Sequence, residues 1–144
     1  NSVMTIFDKL TNFGFFKFNE ASKTTNNYIK KLDIKVSNID SFVMNLSGGN
    51  QQKVVIAKWL AKNCKVLLFD EPTRGIDVAA KAQIWKLISE FTKEGCSVIV
   101  ASNEIPELIN NCNRIITMQK GSISNTFNYE DFDEQKISLN ISSK

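Results

Sequence analysis

Residues 65–72, KVLLFDEP, constrain the fold of this chain more than any other segment. They form a continuous apolar run that ends in two acids and a proline. A strand with one face in water would alternate apolar and polar residues. The unbroken run therefore predicts a strand buried on both faces of a parallel sheet.

The segments that follow this strand predict an α/β core. DVAAKAQIWKLISEFTKEG has the period of a helix that ends at Gly95. Its predicted buried face consists of Val78, Ala82, Trp85, Ile88 and Phe91. CSVIVAS, RIITMQ and ISNTF read as further strands, EIPELINN as a short helix and KGS as a turn. The order predicts an α/β core over residues 63–128, and residues 129–144 a short helix and a tail.

The first 62 residues predict an α-helical subdomain. Apolar positions in residues 1–34 have helical spacing, which predicts two helices separated by a polar loop, NEASKTTNN. The phenylalanines in this region are expected to pack between helices. LSGGNQQK leads into a further amphipathic helix, VVIAKWLAK, and Ser47 is its predicted N-cap.

Composition excludes several classes of protein. The 144 residues are 42% hydrophobic and 23% charged, as expected of one ordinary domain with a core. The longest apolar runs are too short to span a bilayer, and a net charge of +3 without a basic cluster argues against a nucleic-acid surface. The three cysteines lack CxxC spacing, so we expect them to be reduced and mostly buried. Because the chain begins with Asn1 rather than Met, we expect a fragment.

Two segments have the residue types needed for phosphate chemistry. Gly48 and Gly49 leave the backbone bare at the start of a helix, where N–H groups and the helix dipole favour a negatively charged group. Asp70 and Glu71 follow a strand at the sheet edge where α/β proteins hold ligands. One acid can hold Mg²⁺ and the other can orient water, although two acids can also simply start a turn with Pro72.

LSGGNQQK, VLLFDEPTRGID and SNEIPEL occur in the order and spacing found in the second half of an ABC transporter ATPase domain. They resemble its signature, its Walker B motif with the D-loop, and its switch region. The sequence is similar to the C-terminal nucleotide-binding domain of the ribose, galactose and xylose importers, over about residues 28–121. The resemblance implies the second half of a P-loop NTPase of RecA-like fold, with an α-helical subdomain.

The resemblance also implies roles for individual residues. The signature closes over ATP held by a facing domain, and the residues implied to contact it are Ser47, Gly48, Gly49, Asn50, Gln51 and Asp77. Gln51 could instead orient the loop. Asp70 is implied to hold Mg²⁺, Glu71 to act as the catalytic base, and Asn103 occupies the switch-histidine position.

The sequence departs from the family pattern at two points. It has no GxxxxGK[ST] phosphate loop, so we expect the missing part upstream of Asn1 and no tight ATP binding by the chain alone. It has no histidine, and Asn103 cannot carry a proton. We therefore expect an asymmetric pair of ATP sites, in which this domain's own site is slow and its signature completes the other.

The resemblance implies part of an ATP-hydrolysing subunit that drives uptake of a simple sugar, with ATP and Mg²⁺ as cofactors. The implied partners are the N-terminal nucleotide-binding domain or a second copy, membrane permease subunits and, indirectly, an extracytoplasmic sugar-binding protein. The subunit would lie peripherally on the cytoplasmic face of the membrane. Alternatives are a nucleoside importer, a non-hydrolytic regulatory domain and a DNA-maintenance ATPase head. Unpaired backbone beside residues 65–70 further predicts self-association.

Overall fold

The computed structural model describes residues 1–142, which fall into two compact units. The first unit is Asn1–Val100 and the second begins at Ala101. Their elements, in chain order, are β1 (Thr11–Asn12), β2 (Phe15–Phe16), α1 (Phe18–Lys31), α2 (Gly48–Ala61), β3 (Val66–Asp70), α3 (Val78–Lys93), β4 (Ser97–Ala101), α4 (Ile105–Asn111), β5 (Arg114–Gln119), β6 (Ser122–Asn128) and α5 (Glu134–Ser142). The predicted alternation of strand and helix from residue 65 onward is present. The predicted division after residues 62 and 128 stays a prediction.

The first unit is built around β3, α3 and β4. The two strands are hydrogen-bonded neighbours, and α3 connects them. Gly95 follows α3 with φ of 90°, a left-handed conformation that ends the helix where the sequence predicted it to end. The buried face of α3 consists of Ile84, Trp85, Leu87, Ile88 and Phe91.

The predicted buried face of α3 is wrong at two positions. Val78 is 82% exposed, and Ala82 is also exposed. The helical period of the apolar residues is correct, and the first turn of α3 packs through Ala80. Val78 and Ala82 lie at a different angle around the helix from Ala80, Ile84 and Ile88, so the predicted face was rotated away from the buried one.

β3 forms at the predicted position, but the prediction that both its faces are buried is wrong. Leu67 is buried, whereas Val66 and Leu68 are 54% and 75% exposed. Ile99 on the neighbouring β4 is 59% exposed. The reason is that the described residues cover only one face of this two-stranded sheet. The predicted self-association of the chain stays a prediction.

The N-terminal region differs most from expectation. The first predicted helix is replaced by a short 3-10 turn, Met4–Ile6, and by the hairpin of β1 and β2. The polar stretch predicted as a loop lies within α1. The helix continues because the half-buried stripe of Thr25 and Tyr28 carries its period from Ala21 to Leu32.

The phenylalanines of the hairpin region are mostly not core residues, contrary to expectation. Phe13, Phe15 and Phe18 are 93%, 80% and 73% exposed. Phe13 and Gly14 form the two-residue turn between β1 and β2, and their φ angles are 47° and 81°. Two successive positive φ angles match the twist of a tight hairpin and interrupt any helix. The small core beside this hairpin consists of Ile6, Leu10 and Ala21.

The second unit is an antiparallel hairpin, β5 and β6, with α4 and α5. Lys120 and Gly121 form its turn, as the KGS motif predicted. Its core is a cluster of Ile115, Phe127 and Ile137. The short helix predicted after residue 129 is α5, and the end of the predicted tail lies outside the described residues.

The three cysteines are free thiols, as expected, but they are half-buried rather than mostly buried. Cys112 packs against the core of the second unit, and its burial raises the pKa of its thiol above the ordinary value. Among the described residues, no helix combines the length and the apolar character required to cross a membrane.

The hairpin turn gives a stability prediction. Phenylalanine rarely adopts positive φ, whereas asparagine does so readily, so Phe13→Asn should raise the free energy of unfolding by about 1 kcal/mol. Urea denaturation followed by circular dichroism measures this change. Phe15→Asn, which places asparagine in the neighbouring strand, is the control and should not stabilise the chain. A stabilised Phe15→Asn or an unstabilised Phe13→Asn would contradict the turn assignment.

Candidate functional site

The N-terminus of α2 is an uncapped helix end. Ser47 is the N-cap residue, as predicted, with extended φ and ψ of −61° and 154°. Its side chain makes no capping hydrogen bond, and the first turn of Gly48–Ala61 contains no acidic residue. The first N–H groups of a helix have no intrahelical acceptor and lie at the positive end of its dipole. This end of α2 can therefore accept an anion.

Gly48 and Gly49 allow α2 to lie close to the segment around α3. A Cβ atom added at Gly49 would lie 2.7 Å from the Cβ of Ala80, and one added at Gly48 would lie 3.3 Å from Cγ2 of Ile76. Gly49 is buried as a result. The bare backbone inferred from the sequence thus serves close helix packing, in addition to any role in ligand approach.

Asp77 ends the loop that packs against these glycines. Its Oδ1 accepts a hydrogen bond of 2.9 Å from the backbone N–H of Ala80, so Asp77 caps α3. The carboxylate thereby satisfies the N-terminus of α3 internally. Segments 75–77 and 47–51, which the resemblance implies to be the D-loop and the signature, lie close together.

The side chains of Asn50 and Gln51 point into contacts within the protein. Asn50 Nδ2 donates to Ser47 Oγ at 2.9 Å, and Asn50 Oδ1 accepts from the backbone N–H of Lys35 at 2.8 Å. Gln51 Nε2 donates to the carbonyl oxygen of Leu46 at 2.8 Å. Both residues thus fix the loop that precedes α2.

Lys53 is a buried lysine on the same helix. Its side chain is only 5% exposed, and its Nζ donates to the carbonyl oxygen of Asp33 at 2.9 Å. Desolvation lowers the pKa of Lys53, although the nearby charge of Asp33 acts in the opposite direction. Asp33 itself forms an ion pair of 2.6 Å with Lys35, and this hydrogen bond lowers the pKa of its carboxyl group.

A cavity of about 210 Å³ lies beside these residues. Ser47, Asn50 and Asp77 line it together with Lys35 and Lys53. Asp33 lines it as well, so hydroxyl, amide and ammonium groups face one space at the start of α2 together with two carboxyl groups. These polar and charged groups can bind a polar ligand or water.

Asp70 and Glu71 lie at the carboxyl end of β3, as predicted. Asp70 is exposed, and Glu71 has φ of 47°, which is unusual for a residue other than glycine. The next two residues, Pro72 and Thr73, are fully buried and anchor the turn. The positive φ of Glu71 marks the point where the chain turns at the end of β3.

Asn103 belongs to the second unit, in the bend between β4 and α4, and it is exposed. Residues 1–142 contain no group of three or more His, Cys, Asp or Glu side chains arranged to hold a metal ion.

The sequence interpretation missed the contacts of Lys35 and Lys53. The burial of Lys53 had a signal, because it lies three and four residues before Ile56 and Ala57 on the buried face of α2. No sequence signal indicated the hydrogen bond from the backbone N–H of Lys35 to Asn50, because the two residues are fifteen positions apart in the chain.

The chain is similar to known proteins over most of its length. The family model described as ABC transporter matches residues 1–74. The chain is 44% identical over 137 residues to the ribose import ATP-binding protein RbsA 2 of Mesorhizobium japonicum, covering 95% of this chain and 27% of that protein. The same identity and coverage apply to the xylose import ATP-binding protein XylG of Thermoanaerobacter pseudethanolicus. The chain spans about a quarter of the length of these curated relatives.

The structure also resembles solved ATP-binding cassettes. The structure is similar to the dimeric, post-hydrolysis ATP-binding cassette MJ0796 bound to ADP and Pi, with a TM-score of 0.73 and 26% identity. The match covers 91% of this chain and 55% of that one. The predicted fold, part of an α/β ATPase cassette, is confirmed.

The close approach at Gly49 gives a prediction. Gly49→Ala should lower the free energy of unfolding by about 1–3 kcal/mol, because its methyl group would overlap that of Ala80. Gly48→Ala is the control, since the side chain of Ile76 can yield and the cost should be smaller. Denaturant unfolding of both variants tests this. Equal costs at the two positions would show that α2 and α3 are not in such close contact.

The buried Lys53 gives a prediction for alkaline pH. Its folded-state pKa is below the unfolded value of 10.5, so the unfolded chain binds more protons between these two values. Within that window the wild type should gain stability relative to Lys53→Met as the pH rises. Unfolding measured at a series of pH values tests this. Lys58→Met, on the same helix, is the control, and an equal slope for both variants would contradict the prediction.

Proposed function

Because the chain belongs to the ABC transporter family, we propose that it forms part of the ATP-binding subunit of a monosaccharide importer. The observation that carries the proposal is the uncapped start of α2 beside Ser47, packed against the D-loop segment 75–77. The sugar class rests on the similarity to the ribose and xylose import proteins. Uptake of a pentose or another simple sugar is thus the proposed transport activity.

In this proposal the start of α2 contacts the terminal phosphate of ATP that a facing domain holds. The free N–H groups of the first turn and the hydroxyl of Ser47 supply the donors, and the helix dipole adds favourable electrostatics. Gly48 and Gly49 add no side chain that could block the phosphate. The facing domain is a second nucleotide-binding domain, in the same subunit or in a second copy.

Asp70 and Glu71 are proposed to serve the ATP site of this domain itself. The exposed carboxylate of Asp70 would hold Mg²⁺, which when bound to ATP neutralises phosphate charge. Glu71, the next residue in the chain, would orient the attacking water and accept its proton.

Asn103 supports an asymmetric pair of sites. Its amide can donate and accept hydrogen bonds but cannot take up a proton at neutral pH. We therefore propose that hydrolysis is slower at the site built on Asp70 and Glu71. The signature of this chain would complete the faster site on the facing domain.

The proposed partners follow from this arrangement. Closure of two domains around ATP is a rigid-body movement that permease subunits can receive at the cytoplasmic face of the membrane. A sugar-binding protein on the other side would deliver the substrate to the permease. Nucleic acid is not a proposed partner, because the net charge of the chain is only +3.

The asymmetry is tested in the full-length subunit assembled with its permease. Ser47→Arg should lower ATP turnover and transport by at least about tenfold, because its bulk and charge replace the hydroxyl at the phosphate contact. Glu71→Gln should cost less, since it changes only the slower site. ATP turnover and uptake of labelled sugar are the measurements. Equal losses from the two substitutions would contradict the asymmetry.

A non-hydrolytic regulatory domain is the second candidate, favoured by Asn103. The regulatory function and the ATPase are distinguished by adding ATP to the full-length subunit and measuring both domain pairing and phosphate release. Pairing without any phosphate release, in the wild type, would favour the regulatory function. Phosphate release that Ser47→Arg abolishes would favour the ATPase.

A further inference from the structure

The loop before α2 is fastened to the protein by side chains of α2 itself. Asn50 binds the backbone N–H of Lys35, and Lys53 binds the backbone carbonyl of Asp33. Asn50 also bonds to Ser47 Oγ. One residue, Asn50, therefore connects the loop at residues 33–35 to the hydroxyl at the start of α2.

The chemistry of Lys35 fixes the orientation of the Asn50 amide. A backbone N–H can only donate, so the atom of Asn50 that faces it must be the oxygen. The NH₂ group must then face Ser47, at 2.9 Å from its Oγ. Ser47 is the acceptor in this bond, and its own hydroxyl proton must point elsewhere.

The direction left to that proton is outward. Ser47 is exposed and makes no capping bond to the N–H groups of α2. Its hydroxyl also lines the cavity at the start of the helix. With Asn50 donating to Oγ, the proton of Ser47 is available to an acceptor in that space, and the polarised hydroxyl is a better donor.

We propose that Asn50 is a positioning residue, which acts on the terminal phosphate of ATP only through the hydroxyl of Ser47. This inference rests on the proposed function of the signature loop. It differs from the expectation that Asn50 touches ATP, because the hydrogen bonds of the amide direct its oxygen to Lys35 and its NH₂ group to Ser47. The role requires an NH₂ group at this position, and an isosteric carboxylate cannot fill it.

Asn50→Asp is the informative variant. The carboxylate can still accept from the N–H of Lys35, but it cannot donate to Ser47. It would instead accept the Ser47 proton and turn it away from the phosphate. ATP turnover of the full-length subunit should fall about tenfold or more, the usual effect of losing a hydrogen bond to a charged group.

A double-variant cycle separates this role from a direct contact. In a Ser47→Ala background there is no hydroxyl to orient, so adding Asn50→Asp should change turnover less than about twofold. The matched control is Gln51→Glu, an equally isosteric change at the neighbouring position, whose bond goes to Leu46 instead. Its effect should be the same with or without the Ser47 hydroxyl.

The outcomes are distinguishable. If Ser47→Ala alone leaves turnover unchanged, the proposed function of the signature loop fails, and this inference fails with it. If Ser47→Ala lowers turnover but Asn50→Asp lowers it equally in both backgrounds, only the positioning role is overturned. Loss of the Asn50→Asp effect in the Ser47→Ala background supports it.

A second measurement applies even where Asn50→Asp does not fold. In the isotopically labelled full-length subunit, Ser47→Ala should shift the side-chain NH₂ signals of Asn50 and accelerate their exchange with water. The Gln51 side-chain signals are the internal reference. Unchanged Asn50 signals would show that its NH₂ group does not donate to Ser47, and the proposal would be overturned.

Discussion

The contact between Gly49 and Ala80 is the constraint on which the site depends. A side chain at position 49 would collide with the methyl group of Ala80 at 2.7 Å, so the two helices can lie this close only without one. This proximity places the start of α2 beside the loop that leads into α3. Two motifs separated by about twenty-five residues in the sequence thereby share one small region of the first unit. Packing and the proposed phosphate contact therefore place the same demand on this glycine.

The two helices that meet there differ in the capping of their N-termini. Asp77 caps α3 with its carboxylate, which satisfies a donor and offsets the positive end of that dipole. Ser47 stands at the same position before α2 and leaves its donors free. Had both ends been capped, neither would attract a phosphate. The difference makes α2 the only one of these two helices whose start is available to an anion.

The sequence predicted the strongly periodic part of the chain well, and the failures have identifiable causes. The positions of α2, α3 and the strands β3 to β5 were predicted because helical periods and apolar runs are recorded locally in the sequence. The N-terminal hairpin was missed because Phe13 adopts a positive φ that its side chain does not favour. The exposure of β3 was missed because an apolar run shows what a strand can bury, but not how much of it the described residues cover.

The motifs of the candidate site were predictable from the sequence. The hydrogen bonds that hold the loop before α2 in place were not. Ser47, Asp70 and Glu71 were identified because their chemistry is visible in short segments. The bonds from α2 to residues 33–35 join distant parts of the chain and end on backbone atoms, so no residue type in that loop signals them. The same fact makes the fastening tolerant of substitution, because any residue except proline supplies the N–H at position 35. The loop's position is thus constrained more tightly than its sequence, and the residues that hold it must be sought on α2.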